Sequence, residues 1–286
     1  MRQEIIDLYD EFTHRGLDRR VFMQRLAELA GGTAAAAAAL PLLEANSAKA
    51  AMIPADDGRV TSQRVAVPGP AGEVKGYLAL PASPSGKLPA VIVVHENRGL
   101  NGHIEDVARR AALAGFVAFA PDFLSRAGGT PADQDQARDM IGKLDQDGVV
   151  ADARAVMAFL AKHEATNGKV GIVGFCWGGG VVGRVATAAP ELGAGVVFYG
   201  RVPPAEAVAN IKAPLLLNYA GKDDNVNAGI PGFREALDKA GVRYELQMYE
   251  GAQHAFHNDT SEARYDAAAA KLAWERTVEF FKRNLA

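Results

Sequence analysis

A single cysteine, Cys176, occurs among the 286 residues, and that scarcity removes several classes at once. No intrachain disulfide can form. Neither a cysteine-rich zinc site nor a CxxC redox pair is available. An excess of one charge is also lacking: 31 basic residues stand against 34 acidic ones, for a net charge of −3 and a pI near 6.1. Nucleic acid or an anionic membrane is therefore not the partner to expect. Long apolar runs are missing as well. The most nearly apolar stretch, Ala34 to Leu43, is too short and too rich in alanine for a stable membrane span. What the chain does hold is hydrophobic residues, 49% of the total, ample for a substantial core. Length alone allows one large domain or two small ones.

Residues 1–58 differ in texture from the rest. Glu4 to Thr13 has the pattern of a short amphipathic helix. Asp18-Arg19-Arg20-Val21-Phe22-Met23-Gln24 then precedes the alanine-rich run, which ends near Ala48-Lys49-Ala50. Twin arginines, an apolar pair, a weakly hydrophobic segment and a small-x-small site are similar to a twin-arginine export signal, which would send the protein to the periplasm. Arg19 and Arg20 stand far from Met1, however, and Glu28 and Glu44 interrupt the apolar part. The competing expectation, for a cytoplasmic protein, is helices packed on the body or on the second subunit of a homodimer.

From residue 59 to 286 the pattern is that of one α/β domain. Ser62 to Val67 and Val74 to Leu80 alternate as two strands joined through Pro68-Gly69-Pro70-Ala71-Gly72. Ala90 to Val94 is continuously apolar, the mark of a strand covered on both faces. Further strands are expected at Phe116 to Ala120, Lys169 to Phe175, Gly195 to Phe198, Pro214 to Tyr219 and Tyr244 to Tyr249. Helices are expected at Gly102 to Ala114, Asp133 to Leu144, Val149 to His163, Trp177 to Ala188, Pro231 to Ala240 and Arg264 to Asn284. Such alternation makes a mainly parallel sheet with helices on both faces.

The chemistry centres on Gly174-Phe175-Cys176-Trp177-Gly178, followed by Gly179 and Gly180. This is a small-x-nucleophile-x-small pattern, with cysteine where serine is usual. A nucleophile at the tip of a strand-to-helix turn sits in strained backbone, and flanking side chains would collide with the neighbouring strand and helix. The helix beginning at Trp177 would aim its N-terminus at the sulfur, favouring negative charge there. A phosphate loop is excluded by the missing lysine and Ser/Thr.

Chemistry in such a sheet gathers beyond the carboxyl ends of the strands. After Pro214 to Tyr219 comes Gly221-Lys222-Asp223-Asp224-Asn225-Val226. After the last strand comes Gly251-Ala252-Gln253-His254-Ala255-Phe256-His257. The order nucleophile, acid, histidine is that of the α/β-hydrolase fold. Cys176 would attack, His254 would carry the proton, and an aspartate would hold the imidazole. Two aspartates compete. Asp223, three residues before an apolar anchor at Val226, is favoured over Asp224, which would face solvent or cap the next turn. His257 could pair with His254 on a metal, but no other ligand is evident, so neither a metal nor a cofactor is expected.

With these residues in view, the body, roughly Arg59 to Ala286, resembles the dienelactone hydrolase (carboxymethylenebutenolidase) family of α/β-hydrolases. The resemblance rests on His95-Glu96-Asn97-Arg98-Gly99, Pro121-Asp122-Phe123-Leu124-Ser125-Arg126, the cysteine elbow, Phe198-Tyr199-Gly200 and the loops of Asp223 and His254. It implies that Glu96 hydrogen-bonds the resting thiol and that the amides of Asn97 and Trp177 form the oxyanion hole. It also implies a substrate-binding role for Arg126 and Tyr199. The family's second carboxylate-binding arginine falls at Asn258, and Arg98 or Arg201 could take its place. The expected activity is cofactor-free hydrolysis of a small-molecule ester or lactone. The alternatives are a thioesterase with the same triad, or a ligand-binding or redox-sensing protein that keeps the fold.

Overall fold

The computed structural model describes residues 1–14, 16–44 and 51–286. Eight strands form one sheet: β1 (Val60–Gly69), β2 (Gly72–Pro81), β3 (Leu88–Val94), β4 (Val117–Pro121), β5 (Thr166–Phe175), β6 (Ala194–Phe198), β7 (Leu215–Lys222) and β8 (Tyr244–Gln253). Their order is β1-β2-β4-β3-β5-β6-β7-β8. The hairpin β1–β2 and the β2–β4 pair are antiparallel, and every later pair is parallel. The continuous apolar runs of β3, β5, β6 and β7 lie in the middle, where helices cover both faces. This is the α/β-hydrolase fold.

Ten α-helices accompany the sheet among the described residues: α1 (Gln3–His14), α2 (Arg19–Ala30), α3 (Thr33–Leu43), α4 (Gly102–Leu113), α5 (Gln134–Ile141), α6 (Gln146–Lys162), α7 (Trp177–Ala188), α8 (Asp224–Asn227), α9 (Ile230–Ala240) and α10 (Ala267–Leu285). Capping side chains explain the boundaries that periodicity misplaces. Helix α6 begins three residues before Val149 because Asp145 accepts from the amide of Gly148 at 2.9 Å. Helix α10 begins three residues after Arg264 because Asp266 accepts from Ala269 N at 3.0 Å.

The stretch holding Arg19 and Arg20 is, over Gln3–Leu43, three packed helices. They have their own apolar cluster, with Tyr9, Phe12, Phe22 and Leu26 fully buried. Phe12 stacks on Phe22 at 4.4 Å. Polar ties hold this cap on the body. Gln3 and Gln253 exchange amide hydrogen bonds of 2.9 and 2.6 Å, Ala263 N donates to Leu42 O at 3.0 Å, and Arg19 pairs with Asp135. The small-residue site Ala48-Lys49-Ala50 lies outside the described residues. No single described helix is long and apolar enough to cross a membrane.

Candidate active site

The elbow begins with glycine. A Cβ on Gly174 would stand 2.1 Å from Gly178 O, and one on Gly178 would stand 2.5 Å from His95 O. Only hydrogen at these positions lets β5 turn straight into α7 against β3. Cys176 occupies the turn at φ 55°, ψ −114°, a conformation that costs a non-glycine residue roughly 1–3 kcal/mol. Its amide donates to Phe198 O at 3.0 Å, which ties the elbow to β6. The sulfur is thereby fixed at the C-terminal edge of the sheet. Trp177 opens α7, so its amide is among those a helix leaves without an intrahelical partner.

Asp223 follows β7 and His254 follows β8. Asp223 caps α8, with Oδ1 accepting from Val226 N at 3.3 Å. That leaves Oδ2 for the imidazole, and His254 Nδ1 lies 2.6 Å from it. Asp224 is exposed and makes no such contact. A carboxylate can only accept, so Nδ1 carries a proton and Nε2 is the nitrogen left to exchange one with the sulfur. Nε2 is buried without a hydrogen bond. Burial alone would push this imidazole down. The charges of Asp223 and of the nearby sulfur outweigh it and hold His254 well above its usual value. His257 does not join His254: its ring stacks on Phe175 at 4.9 Å and faces Trp274.

Glu96, just past β3, is buried with its carboxylate already engaged. Asn258 Nδ2 donates to Oε2 at 2.8 Å, and Tyr199 OH approaches Oε1 at 3.5 Å. The thiol's hydrogen-bond partner is a residue that no sequence motif marks. His14, the last residue of α1, places Nε2 3.1 Å from Cys176 Sγ. Its Nδ1 lies 3.0 Å from Asp10 O, which can only accept, so Nε2 carries the lone pair and the thiol donates to it. Burial pushes His14 well below the usual imidazole value, and the charges of His254, Arg264 and Arg201 act the same way. The two imidazoles meet edge to face, 4.4 Å between centroids.

Comparison with known proteins identifies the family. The dienelactone hydrolase family profile matches residues 74–285. The chain belongs to this family. A Salmonella typhi protein named "Putative carboxymethylenebutenolidase" is 31% identical over 248 residues, covering 80% of this chain and 90% of its own length. One of the same name from Saccharolobus solfataricus is 34% identical over 249 residues, 74% of this chain and 94% of its own. A crystal structure titled "Putative Dienelactone Hydrolase" from Klebsiella pneumoniae superposes with a TM-score of 0.73 at 30% identity, covering 78% of this chain and 99% of that one.

Against the family pattern, Arg126 stands apart from the sulfur. Its guanidinium pairs with Asp152 on α6 and lines a separate cleft of about 180 Å³ with Phe123, Leu144 and Val149. It does not line the cavity beside Cys176, because Asp152, buried on α6, claims its charge. The larger of two cavities touching Cys176 and His254 is about 430 Å³ and is also lined by Asn97, Trp177 and Tyr199. Three arginines reach it, Arg138, Arg184 and Arg201, and among the described residues no Asp or Glu does. Arg98, held by Gln134 O and Asp135, lines with Glu96 and Arg264 a second, small cavity of about 20 Å³ that also touches Cys176 and His254. Asn258 reaches Glu96 and is not among the cavity-lining residues. The Trp177 ring is stacked on His95 at 5.1 Å and meets Phe123 edge-on, while the side chain of Asn97 donates to Thr13 O at 3.0 Å at the end of α1.

Proposed function

We propose that this member of the dienelactone hydrolase family is a cysteine-dependent hydrolase of carboxylic esters or lactones. The observation that carries the reading is the convergence of the strained Cys176 elbow and the free Nε2 of His254, whose other nitrogen is held by Asp223. His254 Nε2 takes the thiol proton as the sulfur bonds to the carbonyl carbon, and the carbonyl π electrons move onto oxygen. The amides of Asn97 and Trp177 are the donors assigned to that oxyanion; losing one such donor typically costs about 3 kcal/mol. Collapse of the tetrahedral species expels the alkoxide or enolate, which takes the proton from His254. A water then gives its proton to the same nitrogen, its oxygen attacks the thioester, and the acid leaves as the sulfur is released and reprotonated.

The arginine-lined, carboxylate-free wall favours a substrate that carries its own negative group. The guanidinium of Arg138 is already paired with Asp135 and Asp139, whereas Arg184 and Arg201 are suited to bidentate carboxylate binding. In this reading they do the work that the resemblance assigns to Arg126, while Tyr199 and the Asn258–Glu96 pair shape the pocket around the sulfur.

The test is Cys176→Ala assayed on an activated aryl ester. Loss of turnover with an unchanged circular dichroism spectrum is expected, and turnover near that of the native protein would overturn the assignment. Paired esters with and without a carboxylate on the leaving or acyl group check the substrate class. The anionic ester should show the lower KM, and that advantage should shrink in Arg201→Ala.

A further inference from the structure

Two imidazole nitrogens and one sulfur converge at the elbow. The ligand atoms of His14, Cys176 and His254 all lie within 4.8 Å of one another. His14 Nε2 accepts from the thiol at 3.1 Å, and His254 Nε2 is left buried and unpartnered. A buried polar nitrogen without a partner is costly, and a cation bound in place of its proton would relieve it. Both rings are also held in the manner of metal-bound histidines. Each commits Nδ1 to an oxygen acceptor, Asp10 O at 3.0 Å for His14 and Asp223 Oδ2 at 2.6 Å for His254, which fixes the tautomer and raises the basicity of the other nitrogen.

We propose that His14, Cys176 and His254 form a three-donor site for a borderline-soft divalent cation of the zinc class. Zinc bonds of about 2.0 to 2.3 Å from one centre put tetrahedral donors roughly 3.5 Å apart, and the three donor atoms here lie within 4.8 Å of one another. One thiolate and two imidazoles suit such an ion better than magnesium or calcium, which prefer oxygen. The fourth position remains open toward the cavities.

An approach route is also present. A separate cleft of about 730 Å³ opens on His14 and His254. Among its lining residues are Glu4, Asp7, Asp10, Glu11 and Asp224, against Arg25 and Lys222. A cleft lined by one sign of charge concentrates the opposite ion. Cations are thus drawn to this acidic cleft, while the arginine-lined cavity receives anions. On binding, Zn2+ accepts one lone pair from each nitrogen and two electrons from the thiolate, and the thiol proton leaves to solvent. No redox partner is needed. If Cys176 and His254 act in hydrolysis as proposed above, occupancy silences both at once.

The experiment titrates the full chain with Zn2+ alone in a calorimeter and, separately, with Co2+ in a spectrophotometer. A single equivalent of Zn2+ should bind. The Co2+ protein should show a sulfur-to-cobalt charge-transfer band with intense tetrahedral d–d bands. His14→Gln and Cys176→Ala should each weaken Zn2+ by roughly tenfold or more, at least what losing an outer-shell partner costs. A wild-type Co2+ spectrum without the thiolate band, or Zn2+ affinity unchanged in His14→Gln, overturns the site. The Co2+ measurement needs no variant, so the native chain decides the matter even where a substitution fails to fold. A chain that binds Zn2+ but hydrolyses no ester would sink the hydrolase reading and leave the metal site standing.

Discussion

His14 Nε2 lies 3.1 Å from Cys176 Sγ, across 162 residues of sequence and from a helix outside the hydrolase body. The cap is therefore part of the site's geometry, since α1 lends residues to both the arginine-lined cavity and the acidic cleft.

Arg264 is the residue on which docking of that cap turns. Its buried guanidinium donates to Ser261 Oγ at 3.0 Å and to Leu43 O at 3.4 Å, meets Asp10 Oδ1 at 3.5 Å, and lies 4.9 Å from the Tyr9 ring centroid. Arg264→Met should destabilise the protein by about 2–4 kcal/mol, because the Asp10 carboxylate loses its charged partner and the Leu43 carbonyl keeps only Ser261 Oγ. Hydrogen-exchange mass spectrometry should show residues 3–43 losing protection before the sheet does. Even loss across the whole chain would count against a separately docked cap.

Two neighbouring glycines should behave oppositely. A Cβ on Gly178 meets backbone oxygens at 2.5 and 2.6 Å, whereas one on Gly180 meets nothing closer than 3.6 Å. Gly178→Ala should cost roughly 1–3 kcal/mol or fail to fold. Gly180→Ala, inside α7, should be neutral or slightly stabilising. Equal melting temperatures for the two would contradict this steric cradle.

The competing aspartates separate by kinetics. Asp223→Asn removes the acceptor that sets the His254 tautomer and should lower kcat/KM by roughly 10³–10⁴-fold, as in other triads. Asp224→Asn, exposed and without a bond to the ring, should stay within a few-fold. A larger loss at Asp224 would reverse the assignment.

Acid stability should depend on Asp259. His103 Nδ1 lies 3.0 Å from Oδ1 and Arg110 Nη2 lies 2.6 Å from Oδ2. Burial would raise this carboxyl, but the hydrogen bond from His103 and the charge of Arg110 outweigh it and hold it well below the usual range. A depressed folded value contributes stability that is present above the unfolded value of about 4 and is lost as pH falls toward the folded one. Asp259→Asn should therefore be less stable than the native protein at pH 7, with a gap that narrows below about pH 4. Urea midpoints across that range decide it, and a gap that stays constant into acid would exclude the linkage.

Strand runs such as Ala90 to Val94, the glycines around Cys176, and the order Cys176, Asp223, His254 were determined by sequence alone. Each depends on local sterics, on periodicity or on the rule that strand ends gather the chemistry, and those leave marks within a few residues. Contacts between distant elements leave none. Nothing near Arg126 shows that Asp152, 26 residues on, takes its charge, or that the carboxylate of Glu96 is bound by Asn258. Likewise, the helical pattern of Glu4 to Thr13 is visible in isolation, but only packing of the cap decided that the helix ends with an imidazole on the sulfur. Where a side chain points after a fold closes is set by the summed packing of the whole chain.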